Sequence, residues 1–260
     1  MEIGVCVKRV PQVGGRVVVT PDGQDVDTRM SGFAVSPHEE CAVEEAVQLT
    51  EREGGRVTVL TLGPPQAAQQ LRDMLALGAH QALLLETDER EWGPIATAAA
   101  IADAVTNRAA AGEPGFDLLL FGNESADTGG YQVAVRVAHA LGLPCVTGIK
   151  ALARTPGGIR ASREYRGTQE SYDLPLPAVV SVKEGINLPR YPSLPGRLRA
   201  KRAPVQVTTP QWQPEGLRKE RLRLPSQARK QAEILGTGTG TGVDAVPALV
   251  ALLDKLGMLP

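Results

Sequence analysis

Short apolar runs alternate with longer stretches in which apolar residues return every three or four positions, and this rhythm persists to about residue 145. Ile3–Val7 predicts a buried strand, and Val17–Val19, the Pro21-Asp22-Gly23 turn and Val26 a small hairpin. Ser36-Pro37-His38-Glu39 is a helix start: serine as N-cap, proline at the first helical position, glutamate closing a capping box. The helical period runs through Cys41, Ala42, Val43, Ala46, Val47 and Leu49 and stops at Gly54-Gly55. Val57–Leu62 is the next strand, ended by Gly63-Pro64-Pro65; a helix over 66–77 stops at Gly78; Ala82–Leu85 is a strand, and 94–111 an alanine-rich helix. The run Leu118-Leu119-Leu120-Phe121 breaks at Gly122, and after a polar loop a helical pattern (Val133, Val135, Ala138, Leu141) continues to Gly142.

This order predicts an α/β fold: a mainly parallel, Rossmann-like sheet with helices on both faces and ligands beyond the carboxyl ends of the strands. Three loops are expected to converge there: the one after Val7, the one around Leu62-Gly63-Pro64, and residues 122–132.

Past Pro144 the pattern changes. Val146–Ala153, Ile159–Arg166 and Glu170–Leu174 suggest short β segments, and Ala178–Val182 a compact strand. The stretch GINLPRYPSLPGRLRAKR, with prolines at 189, 192 and 195, is expected to be irregular. Residues 203–235 look like an extended arm, GTGTGTG (236–242) like a flexible linker, and the tail like a helix capped by Asp244 with Val246, Leu249, Val250, Leu253 and Leu256 on one face. The expected division is an α/β domain with β-hairpin additions over 1–202 and an arm with a docking helix over 203–260.

The most informative chemistry lies in Gly122-Asn123-Glu124-Ser125-Ala126-Asp127-Thr128-Gly129-Gly130-Tyr131-Gln132-Val133. A buried strand, a glycine-bearing loop and a helix start make an anion site, because the first helical N–H groups lack partners and the helix dipole is positive there. Thr128, Gly129, Gly130 and Gln132 are the expected donors. The loop holds no lysine or arginine, so a cation would come from Lys8 or Arg9 across the crevice. The plain alternative is an ordinary βα turn.

Composition narrows the functional classes. A net charge of −1 gives no reason to expect nucleic acid as a partner, and 3% aromatics weakens any case for base stacking. Cys6, Cys41 and Cys145 are too few and too widely spaced for a disulfide framework or a zinc site, which fits a reducing cytoplasm. His38, His80 and His139 form no metal-binding pair, and no signal peptide or membrane-spanning run is evident. There is no Walker lysine motif, GxSxG, HExxH or GxGxxG, and no SGGxDS-type pyrophosphate loop. The sequence looks like a binder without a catalyst.

VCVKRV, SPHEECAVEEAVQL, LTLGPPQA with LRDMLALGAH, FGNESADTGGYQVAVRVAHALGLP, and REYRGTQESYDLPLPAVVSVKEGINLPRYPSLPGRLRAKR occur in an order that resembles the β subunit of electron transfer flavoprotein from residue 1 to about 202. The resemblance implies an adenine nucleotide-binding type of fold and no catalytic groups of its own. It implies a heterodimer in which an α subunit carries most contacts to one FAD while this chain binds AMP. Such a pair carries electrons from acyl-CoA and related dehydrogenases, as in fatty acid oxidation, to a quinone oxidoreductase or another acceptor. The AMP site would comprise Cys6, Ser36, Pro37, His38, Glu39, Leu62 and residues 122–133, although many relatives have a longer acidic loop before the Thr-Gly pair. Leu194, between prolines 192 and 195, matches a leucine that anchors in a pocket of the partner dehydrogenase, and Glu164 a glutamate that pairs with an α-subunit arginine. Three alternatives stand beside this: a bifurcating β subunit with a second FAD in place of AMP, an adenine-nucleotide-dependent enzyme, and a stress-type nucleotide-binding module.

Overall fold

The computed structural model describes residues 1–12, 17–88, 90–214, 216, 219–225, 234–236 and 242–259. The chain forms two compact units, Met1–Arg221 and Leu222–Pro260. In the first unit β1 (Glu2–Cys6) is followed by a two-stranded ribbon, β2 (Val10–Gln12) against β3 (Gly32–Ala34), with a single antiparallel bridge between Val19 and Val26 inside it. Then come α1 (Pro37–Glu53), β4 (Arg56–Gly63), α2 (Ala68–Leu77), β5 (Gln81–Glu86), α3 (Pro94–Ala110), β6 (Leu118–Gly122) and α4 (Val133–Leu141). The rest of the unit is β7 (Cys145–Ile149), β8 (Ala151–Thr155), β9 (Gly158–Tyr165), β10 (Thr168–Leu174), β11 (Ala178–Val182), α5 (Leu194–Arg202) and β12 (Gln206–Thr208).

The central sheet has seven strands in the order β12-β5-β4-β1-β6-β11-β7, and every pairing in it is parallel. The α/β class and the two-sided helical cover expected from the apolar rhythm are present. One core lies between the sheet and α1 and α2, built on Ile3, Val5, Val43, Leu49, Leu71 and Leu118; the other lies beneath α3 and α4, built on Leu60, Ile101, Leu119, Phe121 and Val137. Alternate strand residues feed opposite faces, as the two-residue repeat demands.

Four expectations change. The predicted β segment Val146–Ala153 is two strands in two sheets: β7 closes the central sheet, and β8 joins β9 and β10 in a separate antiparallel sheet. The stretch expected to be irregular throughout contains α5, because Pro195 falls in its first turn, where a missing N–H costs nothing, and the Ser193 hydroxyl caps it by accepting the Gly196 N–H at 3.1 Å. Gln206–Thr208, placed in the arm by composition, pairs with Leu83–Leu85 as an edge strand, so the sheet extends past residue 202. In the second unit a 3₁₀ turn, Val243–Ala245, leads into α6 (Val246–Lys255), so the helix begins after Asp244 rather than on it. Most of the predicted glycine-threonine linker, 237–241, lies outside the described residues. Among the described residues no helix is long and apolar enough to cross a membrane.

Candidate functional site

The site is built where β1, β4 and β6 end. Cys6 closes β1, with Leu60 of β4 on one side and Phe121 of β6 on the other, and is buried. The first turn of α1 stands directly over the end of β6: a Cβ on Gly122 would lie 2.5 Å from Glu39 Cγ, 3.1 Å from Glu39 N and 3.3 Å from His38 Cβ. Only glycine permits that approach. The turn is locked from within, since the Glu39 carboxyl accepts the Ser36 N–H at 3.2 Å and the Ser36 hydroxyl at 2.9 Å. Leu62, near the end of β4, is partly buried against the core beneath α3 and α4.

The loop from Gly122 to Gln132 covers the opposite wall. Its base is fixed to β11: the Asn123 N–H donates to the Val182 carbonyl at 2.9 Å, and the Ser181 hydroxyl donates to Asn123 Oδ1 at 3.0 Å. Across the crevice Lys8 Nζ lies 2.7 Å from Asp127 Oδ2 and 3.5 Å from Thr128 Oγ1. Burial works to raise the Asp127 carboxyl, but the Lys8 ammonium together with hydrogen bonds from Ser125 and the Thr128 N–H outweighs it and holds the group below the usual carboxylate range. His38 Nε2 is 3.4 Å from Glu124 Oε1, and its Nδ1 accepts the Glu184 N–H at 2.9 Å. Tyr131, held at φ +55°, hydrogen-bonds Glu124, which raises its hydroxyl pKa.

The expected donors divide. The Thr128 N–H is taken by Asp127 Oδ1 at 2.8 Å and the Gly129 N–H by the Ser125 carbonyl at 3.0 Å, while the Gln132 side-chain oxygen accepts from Arg136. Among the described residues, the N–H groups of Gly130, Tyr131 and Gln132 and those of the first turn of α4 remain for an anion. Ala126 is an exposed residue of the same loop, and Val133 opens α4. The Arg9 guanidinium stacks 3.2 Å above the Phe33 ring, which leaves Lys8 as the cation facing the loop. Glu164 and Leu194 lie outside the crevice, on β9 and at the start of α5. Cavities of about 460 Å³ at the amino end of the sheet (Met1, Asp117, Arg154) and about 450 Å³ beneath α3 (Leu83, Ala104, Thr208) are not lined by the crevice loop.

Comparison with known proteins fits this geometry to a family. The model of the electron transfer flavoprotein domain matches residues 26–211. The Bacillus subtilis protein described as electron transfer flavoprotein subunit beta is 34% identical over 208 residues, spanning 79% of this chain and 78% of that protein. The proteins of the same description from Mycobacterium tuberculosis (36% identical over 213 residues; 80% and 78% covered) and Syntrophomonas wolfei (34% over 206; 79% and 78%) agree. The chain belongs to the electron transfer flavoprotein β-subunit family. The domain match takes in the α1 start, the 122–133 loop, Glu164 and Leu194 of this electron transfer flavoprotein chain, and leaves Cys6 and Lys8 just ahead of it.

Glu39 is a buried carboxyl of the crevice. Burial pushes its carboxyl up to about 7, against the opposing pull of the Ser36 hydrogen bonds. Burial also pushes the Cys6 thiol well up, and the nearby Glu39 charge adds to that. The raised Glu39 value means that the folded chain binds its proton more tightly than the unfolded chain does. Its contribution to stability is therefore present at low pH and is lost as pH rises from the ordinary carboxylate range through about 7. Glu39→Gln, which keeps an acceptor for Ser36 without the charge, is expected to gain stability relative to wild type across that window, by up to about 3 kcal/mol. Urea unfolding between pH 5 and pH 8 checks this, and a constant difference between the two proteins would refute it.

Proposed function

We propose that this chain holds AMP in the crevice above β1, β4 and β6 and pairs with an α subunit that carries most of the contacts to one FAD. The heterodimer would carry electrons in the cytoplasm from acyl-CoA and related dehydrogenases to a quinone oxidoreductase or another acceptor. The crevice carries this reading: a loop and helix start whose Gly130, Tyr131, Gln132 and first-turn N–H groups are not used among the described residues, one lysine against the same loop at Asp127, and apolar strand ends beside them.

A nucleoside monophosphate suits these residues. The N–H groups from Gly130 into α4, with Lys8, match a phosphate, and replacing the Asp127 carboxylate on Lys8 by that phosphate preserves the charge pairing. Partly buried Leu62 offers apolar surface to a base, and the absence of a Cβ on Gly122 keeps α1 close enough to close the wall. The FAD, when bound, supplies the one-electron chemistry. Glu164 is exposed on β9 and, among the described residues, makes no ion pair, which suits a role toward an α-subunit arginine. In the second unit α6 exposes Val246, Leu249 and Val250, and Leu256 is exposed just past its end, apolar surface suited to docking on the α subunit.

Co-expression with an electron transfer flavoprotein α subunit is the test. A yellow 1:1 heterodimer that a reduced acyl-CoA dehydrogenase can reduce is expected. A colourless chain that forms a stable homodimer, or one that turns over ATP, would overturn the reading.

A further inference from the structure

The segment between β11 and α5 has no strand or helix of its own over residues 187–193, yet it and the first residue of α5 carry the most exposed large apolar side chains among the described residues of the first unit apart from Met30: Leu188 is 89% exposed, Tyr191 93% and Leu194 71%. Prolines at 189, 192 and 195 restrict its backbone but do not fix its direction. That direction is set by one face of α1. Arg190 Nε and Nη2 donate to the two oxygens of Glu44 at 2.9 and 3.0 Å, and the Arg190 N–H donates to Glu44 Oε2 at 3.2 Å. The same guanidinium reaches Glu51, two helical turns along, with Nη1 to Oε1 at 2.7 Å and Nη2 to Oε2 at 3.0 Å. Ahead of it the Asn187 side chain donates to the Cys41 carbonyl and to Glu45 Oε2, both at 3.0 Å.

The Glu44 side chain is 3% exposed, so this is a buried carboxylate whose cation comes from 146 residues away in sequence. Removing such a partner leaves a desolvated charge, which makes the contact a strong constraint on the segment that supplies it. A guanidinium gripping two carboxylates at once fixes orientation as well as distance, which a lysine ammonium does not. A surface apolar group binds with less loss of entropy when its backbone is already held.

We propose that Arg190 is a positioning residue for dehydrogenase docking: its double pairing with Glu44 and Glu51 clamps the 187–193 segment to α1 and holds Leu188, Tyr191 and Leu194 in the arrangement a partner meets. The inference rests on the reading of Leu194 as the docking anchor. It adds that α1, whose first turn walls the nucleotide crevice, also carries the docking surface on its later turns.

The test uses the α/β heterodimer, with an acyl-CoA dehydrogenase reduced by its acyl-CoA as electron donor. In Arg190→Gln, amide hydrogen exchange over 186–194 is expected to accelerate about tenfold or more. The KM for the heterodimer is expected to rise about tenfold, with kcat, flavin content and the exchange of β1 and β6 unchanged. Arg190→Lys should restore part of the KM, because it keeps the charge but not the fork. Leu194→Ala, measured alongside, separates the two ideas. A raised KM in Leu194→Ala with an unchanged KM or unchanged exchange in Arg190→Gln overturns the clamp. A raised KM and faster exchange in Arg190→Gln with an unchanged KM in Leu194→Ala leaves the clamp standing and removes Leu194 as the anchor.

Discussion

Gly122→Val is expected to abolish nucleotide retention by the purified heterodimer and to lower its stability by about 1–3 kcal/mol. The cause is local and steric. Even a Cβ at this position would meet Glu39 Cγ at 2.5 Å and the Glu39 backbone nitrogen at 3.1 Å, so the first turn of α1 must lift away from the end of β6. That turn is stiffened by the Glu39–Ser36 hydrogen bonds and cannot yield at one atom alone. Lifting it opens the wall that faces the 122–132 loop and separates the His38–Glu124 contact, which spans 3.4 Å. Acid extraction and thermal unfolding of the variant check both parts. Wild-type nucleotide content with an unchanged melting temperature would show that the α1–β6 contact is incidental.

Leu194→Ala has the largest expected effect on electron transfer. The side chain is 71% exposed, so truncation removes little from the chain's own packing, and the Ser193 cap and Pro195 that start α5 remain. A buried leucine anchor at an interface is worth about 2 kcal/mol, or roughly a thirtyfold rise in KM for the heterodimer with a reduced acyl-CoA dehydrogenase. Flavin content and the melting temperature should not change. An equal loss of flavin would make Leu194 a structural residue, and an unchanged KM would move the docking surface elsewhere.

What could be read from the chain divides along physical lines. The α1 start was legible because Ser36, Pro37 and Glu39 satisfy helix-end valences locally, and the strand Leu118–Phe121 because it is continuously apolar and ends at a glycine. The edge strand Gln206–Thr208 carried no such mark: it is short and exposed, and exists because Leu83–Leu85 offer an open sheet edge. The change of sheet at Lys150 was hidden in one continuous β-like run, because it is decided by which distant strands accept each half. Helix α5 is hidden in the sequence because a proline in a polar stretch marks a break, whereas Pro195 here initiates a helix.

The same distinction holds at the candidate site. Residues 122–133 were singled out by a strand-loop-helix pattern that is local. The internal use of the Thr128 and Gly129 N–H groups was not foreseeable, since it depends on how the loop closes on Asp127 and Ser125. Lys8 and Asp127 are 119 positions apart, and Arg190 and Glu44 146 apart; nothing in either neighbourhood names its partner. The one signal available was charge balance, a loop with two acids and no base that needs a cation from another element.

The proposal that this chain is the AMP-holding half of an electron transfer flavoprotein is tested most directly by extracting the yellow heterodimer with acid and counting nucleotides against protein. One FAD and one AMP per heterodimer is the expected result. Two FAD without AMP, or FAD alone with no adenine nucleotide left in the crevice, would contradict it.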